Sequence, residues 1–410
     1  MPNRPFRFLH AADFHLEMPL HGVGEVPEHL VDLFLEAPYA AAEQVFETAL
    51  AEDAAFVVLS GDLLSPQHTG PRGPLFLVEQ FARLAERGKP VYWVGGGVDP
   101  PEAWPPAIRL PENVRRFPVG RVEAFTAERD GEPLACVLGA GRGGRQAIHA
   151  AAFSPAPGGL VTLAAIHGTA DPAALKQRGL HYWALGGRHD RSTPLGSPTL
   201  VHWPGTPQGR RPSESGMHGC TVVDVDEQGR LRTTLATTDV LRWLSERLVV
   251  DEATTRETLE TQLRERMHTL VETNPNIDLL VSWTVAGTGP LLGKLRRGPL
   301  ADELIEWLRG EYGRRAPAAW SLGVEAEPSL AMPPEWLEQE TIRADFLRAI
   351  RSYETNPDQA LDLETYRPEG EWAEALGPGM ARIEKPARRR VLHEAALLGV
   401  DLLTGEEAES

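Results

Sequence analysis

A repeated alternation of short apolar runs with amphipathic segments constrains the fold of this chain more than any other feature. Between residues 6 and about 190, apolar runs of strand length alternate with stretches whose apolar residues recur at helical spacing. The stretch 38–53 has this helical spacing, and the stretch 74–88 places Leu77, Phe81 and Leu84 on one helical face. This alternation predicts an α/β architecture in which helices cover a sheet.

The pattern changes after about residue 200. A hairpin is predicted at 219–238, an amphipathic helix at 255–272, a strand at 277–287 and a second helix at 301–313. These elements indicate a smaller α+β region, and the residues beyond about 335 read mostly as helix. We therefore predict a main domain at 1–240, an α+β capping domain at 241–334 and a helical carboxyl-terminal region at 335–410.

The charge of the chain limits the kinds of partner that we expect. The formal net charge is −17, whereas proteins that bind nucleic acid on their own usually present a basic face. Basic residues occur only in short groups at 141–145, 208–211 and 387–390. DNA binding is therefore compatible with the sequence, but a strongly basic autonomous binder is not expected.

Cysteine content and hydropathy indicate the compartment. Cys136 and Cys220 stand singly in apolar runs, without the paired spacing of a redox or zinc motif, so buried and inert thiols are favoured over a redox pair. The amino terminus has no apolar signal-peptide segment, and no uninterrupted apolar run approaches the length of about 18 residues that a membrane helix needs. We expect a cytoplasmic protein with no membrane partner.

Potential metal ligands follow four of the predicted strands. Asp13 and His15 close the first strand, Asp62 the second, and His167 and His189 two later ones. In an α/β sheet the carboxyl ends of the strands form the crevice in which ligands bind. Two carboxylates and three imidazoles at one edge would suit a divalent cation such as Mn²⁺, Fe²⁺ or Zn²⁺.

Each of these features also has an ordinary explanation. A lone Asp-x-His is common, a Gly-Asp pair after a strand is more often a turn or a helix cap, and a single His after an apolar strand is more often a boundary residue. The combination, in this order and at successive strand ends, favours a metal site.

The same segments resemble a known family. Residues 8–19, 57–62, 165–169 and 184–191 are similar to the ordered motifs of the calcineurin-like metallophosphoesterases. Residues 10–17 and 203–225 give a narrower resemblance to DNA-repair nuclease subunits of the SbcD kind, especially the YhaO type. The resemblance covers essentially the whole chain, with specific motifs in the first 225 residues and weak ones beyond.

The resemblance implies a metallophosphoesterase β-sandwich flanked by helices, with a smaller α+β capping domain and a helical tail. Members of this family hold two metal ions that clamp a phosphodiester. By position, Asp13, His15, Asp62 and His189 match the ligands of the first metal. Asp62 and His167 match two ligands of the second. The resemblance favours Mn²⁺ as the cofactor.

Three positions depart from the family pattern. The metal-binding Asn falls on Gly97, the His that assists the leaving group falls on Val98, and another metal-binding His falls on Gly187. Glycine offers no side-chain ligand and valine no proton, so the second metal site is expected to be degenerate and no catalytic residue is assigned.

Three other residues are candidate replacements for the absent groups at this site. Arg188 would place a guanidinium beside a phosphate, but we expect its side chain to point away, since neighbouring residues at a strand end face opposite sides. His68 and His202 are weaker alternatives.

Two hypotheses follow for the function. The first is a metal-dependent phosphoesterase of the DNA-repair exonuclease type, which hydrolyses phosphodiesters with metal-activated water and has reduced activity. The second is a catalytically dead pseudo-nuclease that acts as a scaffold. The resemblance implies an SbcC-, Rad50- or YhaN-like ATPase as the partner in either case.

Overall fold

The computed structural model describes residues 4–24, 26–141, 150–156, 159–327, 334–356 and 385–405. They form two compact units. The first contains residues 1–245, 271–282 and 309–322, and the second contains 246–270, 283–308 and 323–410. The predicted domain boundaries at 240 and 334 stay predictions.

The described residues contain fifteen strands and nine α-helices. The strands are β1 Phe6–Ala11, β2 Val57–Leu59, β3 Val91–Trp93, β4 Val114–Arg116, β5 Glu123–Arg129, β6 Glu132–Gly139, β7 Val161–His167, β8 Tyr182–Gly186, β9 Ser192–Leu195, β10 Leu200–Trp203, β11 Gly219–Val225, β12 Leu231–Thr237, β13 Leu241–Val250, β14 Asp278–Gly287 and β15 Ala319–Ala326. The helices are α1 Val31–Ala51, α2 Pro66–Thr69, α3 Arg72–Glu86, α4 Pro172–Lys176, α5 Arg256–Thr273, α6 Pro290–Arg297, α7 Leu300–Tyr312, α8 Ile342–Thr355 and α9 Lys385–Gly405.

Two six-stranded mixed sheets build the first unit. The strand order is β12-β11-β1-β2-β3-β4 in one and β5-β6-β7-β8-β10-β9 in the other. Strands β1 to β4 run parallel to one another. In the second sheet, β6, β7, β8 and β10 are parallel. These parallel runs bring the ends of β1, β2 and β3 to one edge of the first sheet and the ends of β7 and β8 to one edge of the second.

A buried apolar layer joins the two sheets face to face. Phe8, Phe56 and Val58 from the first sheet pack in one cluster with Leu163 and Tyr182 from the second. Helices α1 and α3 cover the outer face of the first sheet, and α4 contributes to the layer on the outer face of the second. The predicted fold, a mixed α/β sandwich flanked by helices, is confirmed.

The first helix differs from the prediction because it starts earlier. The sequence suggested a helix beginning near Pro38, whereas α1 begins at Val31 and contains Pro38 in its interior. A proline in a helix has no N–H for the carbonyl four residues before it. That carbonyl belongs to Phe34, and it accepts a hydrogen bond from the N–H of Leu20 instead. The proline thus frees a carbonyl, and the hydrogen bond to this carbonyl connects the segment after β1 to the helix.

The later elements agree in type with the pattern read from the sequence. The predicted hairpin is the antiparallel pair β11 and β12. The helix and strand expected at 255–272 and 277–287 are α5 and β14, and the helix expected at 301–313 is α7. Strands β13, β14 and β15 form a three-stranded sheet in that order.

The carboxyl-terminal region is helical where it is described. Helices α8 and α9 pack through Leu347, Ala396 and Val400. Residues 357–384 and 406–410 of the predicted helical region lie outside the described residues. Among the described helices, none combines the length and the apolar character needed to cross a membrane.

Both cysteines lie in the sandwich. Cys136 and Cys220 are free thiols and are buried. Their pKa values are raised because burial disfavours the thiolate, to about 12 for Cys220. This agrees with the expected inert core thiols.

Candidate metal centre

The segments after β1 and β2 are joined into one scaffold for three polar side chains. The N–H of Asp13 donates to the carbonyl of Gly61 at 3.0 Å, and the N–H of His15 donates to the carbonyl of Asp62 at 3.1 Å. Because β1 and β2 are parallel neighbours, these bonds extend their pairing past the strand ends. The side chains of Asp13, His15 and Asp62 consequently lie side by side.

All three of these residues have a left-handed backbone. The φ angles are 57° at Asp13, 45° at His15 and 53° at Asp62. Residues with a Cβ atom adopt positive φ uncommonly, and such conformations concentrate at functional sites. Only six non-glycine residues of the described chain have this conformation, so half of them lie in this cluster.

The second sheet brings two more imidazoles to the same place. His167 is the last residue of β7, and its Nε2 lies 3.2 Å from Oδ2 of Asp62. His189 follows β8, and its ring centroid lies 5.3 Å from that of His15. All five residues predicted as metal ligands therefore lie together at one edge of the sandwich.

The five side chains form two overlapping groups with the spacing of metal ligands. We call Asp13, His15 and His189 the first group, and Asp13, Asp62 and His167 the second group; within each, one ligand atom per residue lies within 4.8 Å of the others. Both groups share Asp13, which is fully buried.

The three imidazoles are oriented so that the same nitrogen faces the cluster. In each ring Nδ1 is hydrogen-bonded to an oxygen outside the two groups, which is Glu17 Oε1 for His15, the Ser60 carbonyl for His167 and Glu214 Oε1 for His189. An Nδ1–H that donates to such an acceptor leaves the Nε2 lone pair for a metal, as in metal-bound histidines generally.

A buried nitrogen without a partner tests the fit of a metal. Nε2 of His15 is buried and has no hydrogen-bond partner. The nearest carboxylate oxygens are Asp13 Oδ1 at 4.0 Å and Asp62 Oδ2 at 3.8 Å. A buried polar atom without a partner is costly, and a cation bound among these atoms would satisfy all of them. The donor set therefore fits a divalent ion.

The carboxylates and imidazoles of the cluster shift each other's pKa values. Burial raises the pKa of Asp13 to about 6 despite the nearby imidazoles. Burial would also raise the pKa of Asp62, but the hydrogen bond and charge of His167 outweigh it and hold this pKa well below its usual range. In turn, Asp62 overcomes the burial of His167 and raises its pKa to about 9.

Arg210 and Glu214 support His189, and the sequence reasoning missed both. The Glu214 carboxylate is buried and accepts from Nδ1 of His189 at 2.7 Å. Burial opposes its ionisation, but bonds from His189 and the Arg210 backbone lower the pKa of Glu214 to about 2. The only sequence signal was the 203–225 segment, where 208–211 appeared as a basic group. Arg210 is instead 1% exposed.

The guanidinium of Arg210 lies over the face of the His189 ring. Its Nη2 is 3.0 Å from Nδ1 and 3.1 Å from Nε2. These nitrogens flank one ring carbon, so a donor equally distant from both in the ring plane would overlap that carbon. The stacked position leaves the in-plane lone pair of Nε2 available to a metal.

The segment after β3 contributes hydrogen bonds and no side-chain ligand. The N–H of Val98 donates to Asp62 Oδ1 at 3.0 Å. The Asp99 carboxylate, which is 3% exposed, accepts from the backbone N–H groups of Asp62, Leu63 and Gly96. Burial and the charge of Asp62 raise the pKa of Asp99 to about 7. Asp99 thus fixes this turn against the segment after β2.

Of the three replacement residues, none lies with the two groups. Arg188 is exposed, and its guanidinium lies 5.2 Å from the centroid of the Trp203 ring. His202 is fully buried between Thr193 and Thr221. His68 hydrogen-bonds to Ser65 in α2. The expectation that Arg188 points away is in line with this placement.

Comparison with known proteins adds one informative relative. No protein-family model matches the chain. The chain is 28% identical over 336 residues to a protein of Bacillus subtilis (strain 168) named uncharacterized metallophosphoesterase YhaO, across 78% of this chain and 81% of that protein. This relative supports the metallophosphoesterase family.

Two solved structures are also similar over part of the chain. A dimetal phosphatase from Danio rerio has a TM-score of 0.35 and 12% identity, and covers 57% of this chain and 99% of its own. Vacuolar protein sorting 29 from Cryptosporidium parvum has a TM-score of 0.25 and 15% identity, and covers 57% of this chain and 97% of its own.

Proposed function

We propose that the protein is a metal-dependent phosphoesterase that hydrolyses phosphodiesters, with DNA as the natural substrate class. The observation that carries this proposal is the convergence of three imidazoles on the carboxylates of Asp13 and Asp62. A divalent ion held there would activate water for attack on phosphorus and polarise the phosphoryl oxygen. The metallophosphoesterase relative supports the reaction class.

Each protein group has a defined task in this scheme. His15, His189 and Asp13 would hold the ion, and Asp62 would add a carboxylate oxygen. Glu17 and Glu214 accept from the Nδ1 atoms of His15 and His189, which keeps the Nε2 atoms directed at the ion. The cluster is reachable by a phosphodiester, because His189 is half-buried and Gly97 and Gly187 are exposed.

The narrower assignment to DNA-repair exonucleases rests on the resemblance of residues 10–17 and 203–225 to the SbcD and YhaO types. That resemblance also suggests an SbcC-, Rad50- or YhaN-like ATPase as the partner. A net charge of −17 favours such a division of labour, because the partner would then supply much of the DNA contact.

The decisive experiment measures Mn²⁺-dependent hydrolysis of bis-p-nitrophenyl phosphate and of linear DNA. We expect activity in the wild type that Asp62→Asn removes. Asp130→Asn is the matched control, since Asp130 is exposed and lies in the β5–β6 turn, at the opposite end of the second sheet from His167. Its left-handed backbone also accepts asparagine. Equal activity in the wild type and Asp62→Asn would refute the proposed metal-dependent hydrolysis at this site.

A catalytically dead scaffold is the second candidate, and one observation favours it. Gly97, Val98 and Gly187 provide no acid, base or side-chain ligand at the open side of the cluster. Loss of a positioned acid–base group alone typically costs about 10²–10⁴ in rate. A protein that binds Mn²⁺ but hydrolyses neither substrate, with or without the ATPase, would establish this alternative.

A further inference from the structure

We propose that the protein holds one divalent ion per chain, in the first group, and that the second group does not hold another. The inference rests on the proposed metal-dependent function and adds the number and the position of the ions. It is drawn from a difference between the two groups in the partners that their ligand atoms already have and in the side-chain ligands that they lack.

The first group contains an imidazole nitrogen that no other group uses. Nε2 of His15 is buried and without a partner. The Nε2 lone pair of His189 is left free in the ring plane by the stacked guanidinium of Arg210. Asp62 Oδ2, 3.8 Å from His15 Nε2, can join them as a further oxygen. Together with Asp13, these atoms make four protein ligands, and the remaining positions of a divalent ion would be open to water or substrate.

In the second group, the imidazole nitrogen is already paired with a carboxylate. Asp13 accepts from the Gly187 N–H through both oxygens, at 3.1 and 2.9 Å, but this carboxylate is shared with the first group and does not distinguish the two. The Val98 N–H donates to Asp62 Oδ1, and the remaining Oδ2 lies 3.2 Å from His167 Nε2. The Val98 and Gly187 N–H groups approach the carboxylates from the turns after β3 and β8. A second ion would therefore have to displace or share bonds that are already made.

The missing ligands can be located from the backbone of two glycines. A Cβ atom at Gly97 would lie 3.7 and 4.0 Å from the two oxygens of Asp62, and one at Gly187 would lie 3.1 Å from His167 Nε2. Side chains at positions 97 and 187 would therefore be close enough to Asp62 and His167 to act as ligands of a second ion. Glycine supplies none, and the second group keeps only His167 and the carboxylates shared with the first group.

Counting bound Mn²⁺ by plasma mass spectrometry and by calorimetric titration tests this assignment. We expect one ion per chain in the wild type. His189→Ala should weaken binding by more than the roughly 10–100-fold that loss of an outer hydrogen-bond partner costs. His167→Ala makes the same side-chain deletion; because His167 partners the ligand Asp62, it should cost no more than the roughly 10–100-fold of an outer hydrogen-bond partner and keep one ion.

The outcomes separate this inference from the proposed function. Two ions in the wild type, or equal losses in His167→Ala and His189→Ala, would overturn the single-ion assignment and leave a metal-dependent enzyme. No bound ion at all would reject both. Because the count is made on the wild type, a variant that fails to fold does not remove the test.

Rebuilding a ligand gives a second, independent check. Gly97→Asn places an amide beside Asp62, where the clearance for a Cβ is ordinary contact, and should add a second, weaker ion. Gly97→Ala is its control and should still bind one. Spin coupling between two Mn²⁺ ions in electron paramagnetic resonance would identify the pair. A coupled pair in Gly97→Ala or in the wild type would contradict the inference.

Discussion

The turn after β1 and the turn after β3 occupy the same edge of the same sheet, yet they contribute to the cluster in opposite ways. In residues 12–16, the side chains of Asp13 and His15 belong to the cluster, and the backbone of both residues is left-handed. In residues 94–99, the backbone N–H of Val98 faces the cluster, while the one charged side chain, Asp99, is turned inward to hold the turn.

This difference shows that the shape of a strand-end turn and its chemistry are separable. Asp99 maintains the turn after β3 through bonds to Gly96, Leu63 and Asp62, so the geometry survives without any ligand at Gly97. In the turn after β1, the backbone of the ligands Asp13 and His15 is held by bonds to the neighbouring segment after β2.

The largest expected effect comes from deleting one side chain in each turn. His15→Ala removes a ligand and should lower Mn²⁺-dependent phosphodiester hydrolysis by about 10²-fold or more. Val98→Ala keeps the backbone N–H to Asp62 and should change the rate by less than about threefold. Steady-state kinetics on both variants measure these changes. An equal loss of rate in Val98→Ala and His15→Ala would contradict the difference between the two turns.

A second prediction concerns the clamp in the turn after β3. Asp99→Asn replaces an acceptor oxygen by an NH₂ group among several N–H donors, which should destabilise the fold by about 2 kcal/mol. Chemical denaturation measures this change. Bound Mn²⁺ should remain at one per chain, because Asp99 supplies no ligand. An unchanged midpoint would show that the turn does not depend on Asp99.

Glu214 gives a prediction for pH. Its pKa is about 2 in the folded protein and 4.5 as an ordinary glutamate. A lowered folded pKa means that the ionised carboxylate stabilises the fold above about pH 4.5, and that this contribution disappears as the pH falls towards 2. Glu214→Gln should remove on the order of 2 kcal/mol of this pH dependence, as measured by unfolding of the metal-free protein between these limits. If the free energy of unfolding changed with pH in the same way in the wild type and in Glu214→Gln, the lowered pKa of Glu214 would be contradicted.

The smallest effect is expected at Arg188, which lies between the retained and the absent ligand of the turn after β8. Its guanidinium is exposed over Trp203, so Arg188→Ala should cost no more than about 1 kcal/mol of stability. Hydrolysis should stay within about twofold of the wild type. A loss of tenfold or more in kcat/KM would instead assign Arg188 to the substrate phosphate.

Much of the fold follows from local pattern. Apolar periodicity identified the strands and helices that position the site, because burial on one or both faces dictates those patterns. The predicted start of the first helix, at residue 38, was wrong. α1 contains Pro38 in its interior, and the Phe34 carbonyl that this proline leaves without an intrahelical donor accepts from the N–H of Leu20, a tertiary contact that local spacing does not reveal. Short edge strands such as β4 and β9 were not predicted, since their burial is partial.

The ligands were easier to predict than their supports. Asp13, His15, Asp62, His167 and His189 each follow a strand, and the parallel arrangement of the strands brings such positions together. Glu214 and Arg210 lie in an irregular segment between β10 and β11, where no periodicity indicates which side chain turns inward. Their approach to His189 depends on the folded path of that segment.

The left-handed residues of the cluster also bear on how this protein can be engineered. Each such conformation costs of the order of 1–3 kcal/mol and glycine would adopt it freely. Replacing Asp13, His15 or Asp62 by glycine would thus be attractive to any procedure that selects for thermal tolerance alone, although it would erase the metal ligands. Stability screens on this protein should therefore hold these positions fixed, because a substitution that relieves the backbone strain there also removes a metal ligand.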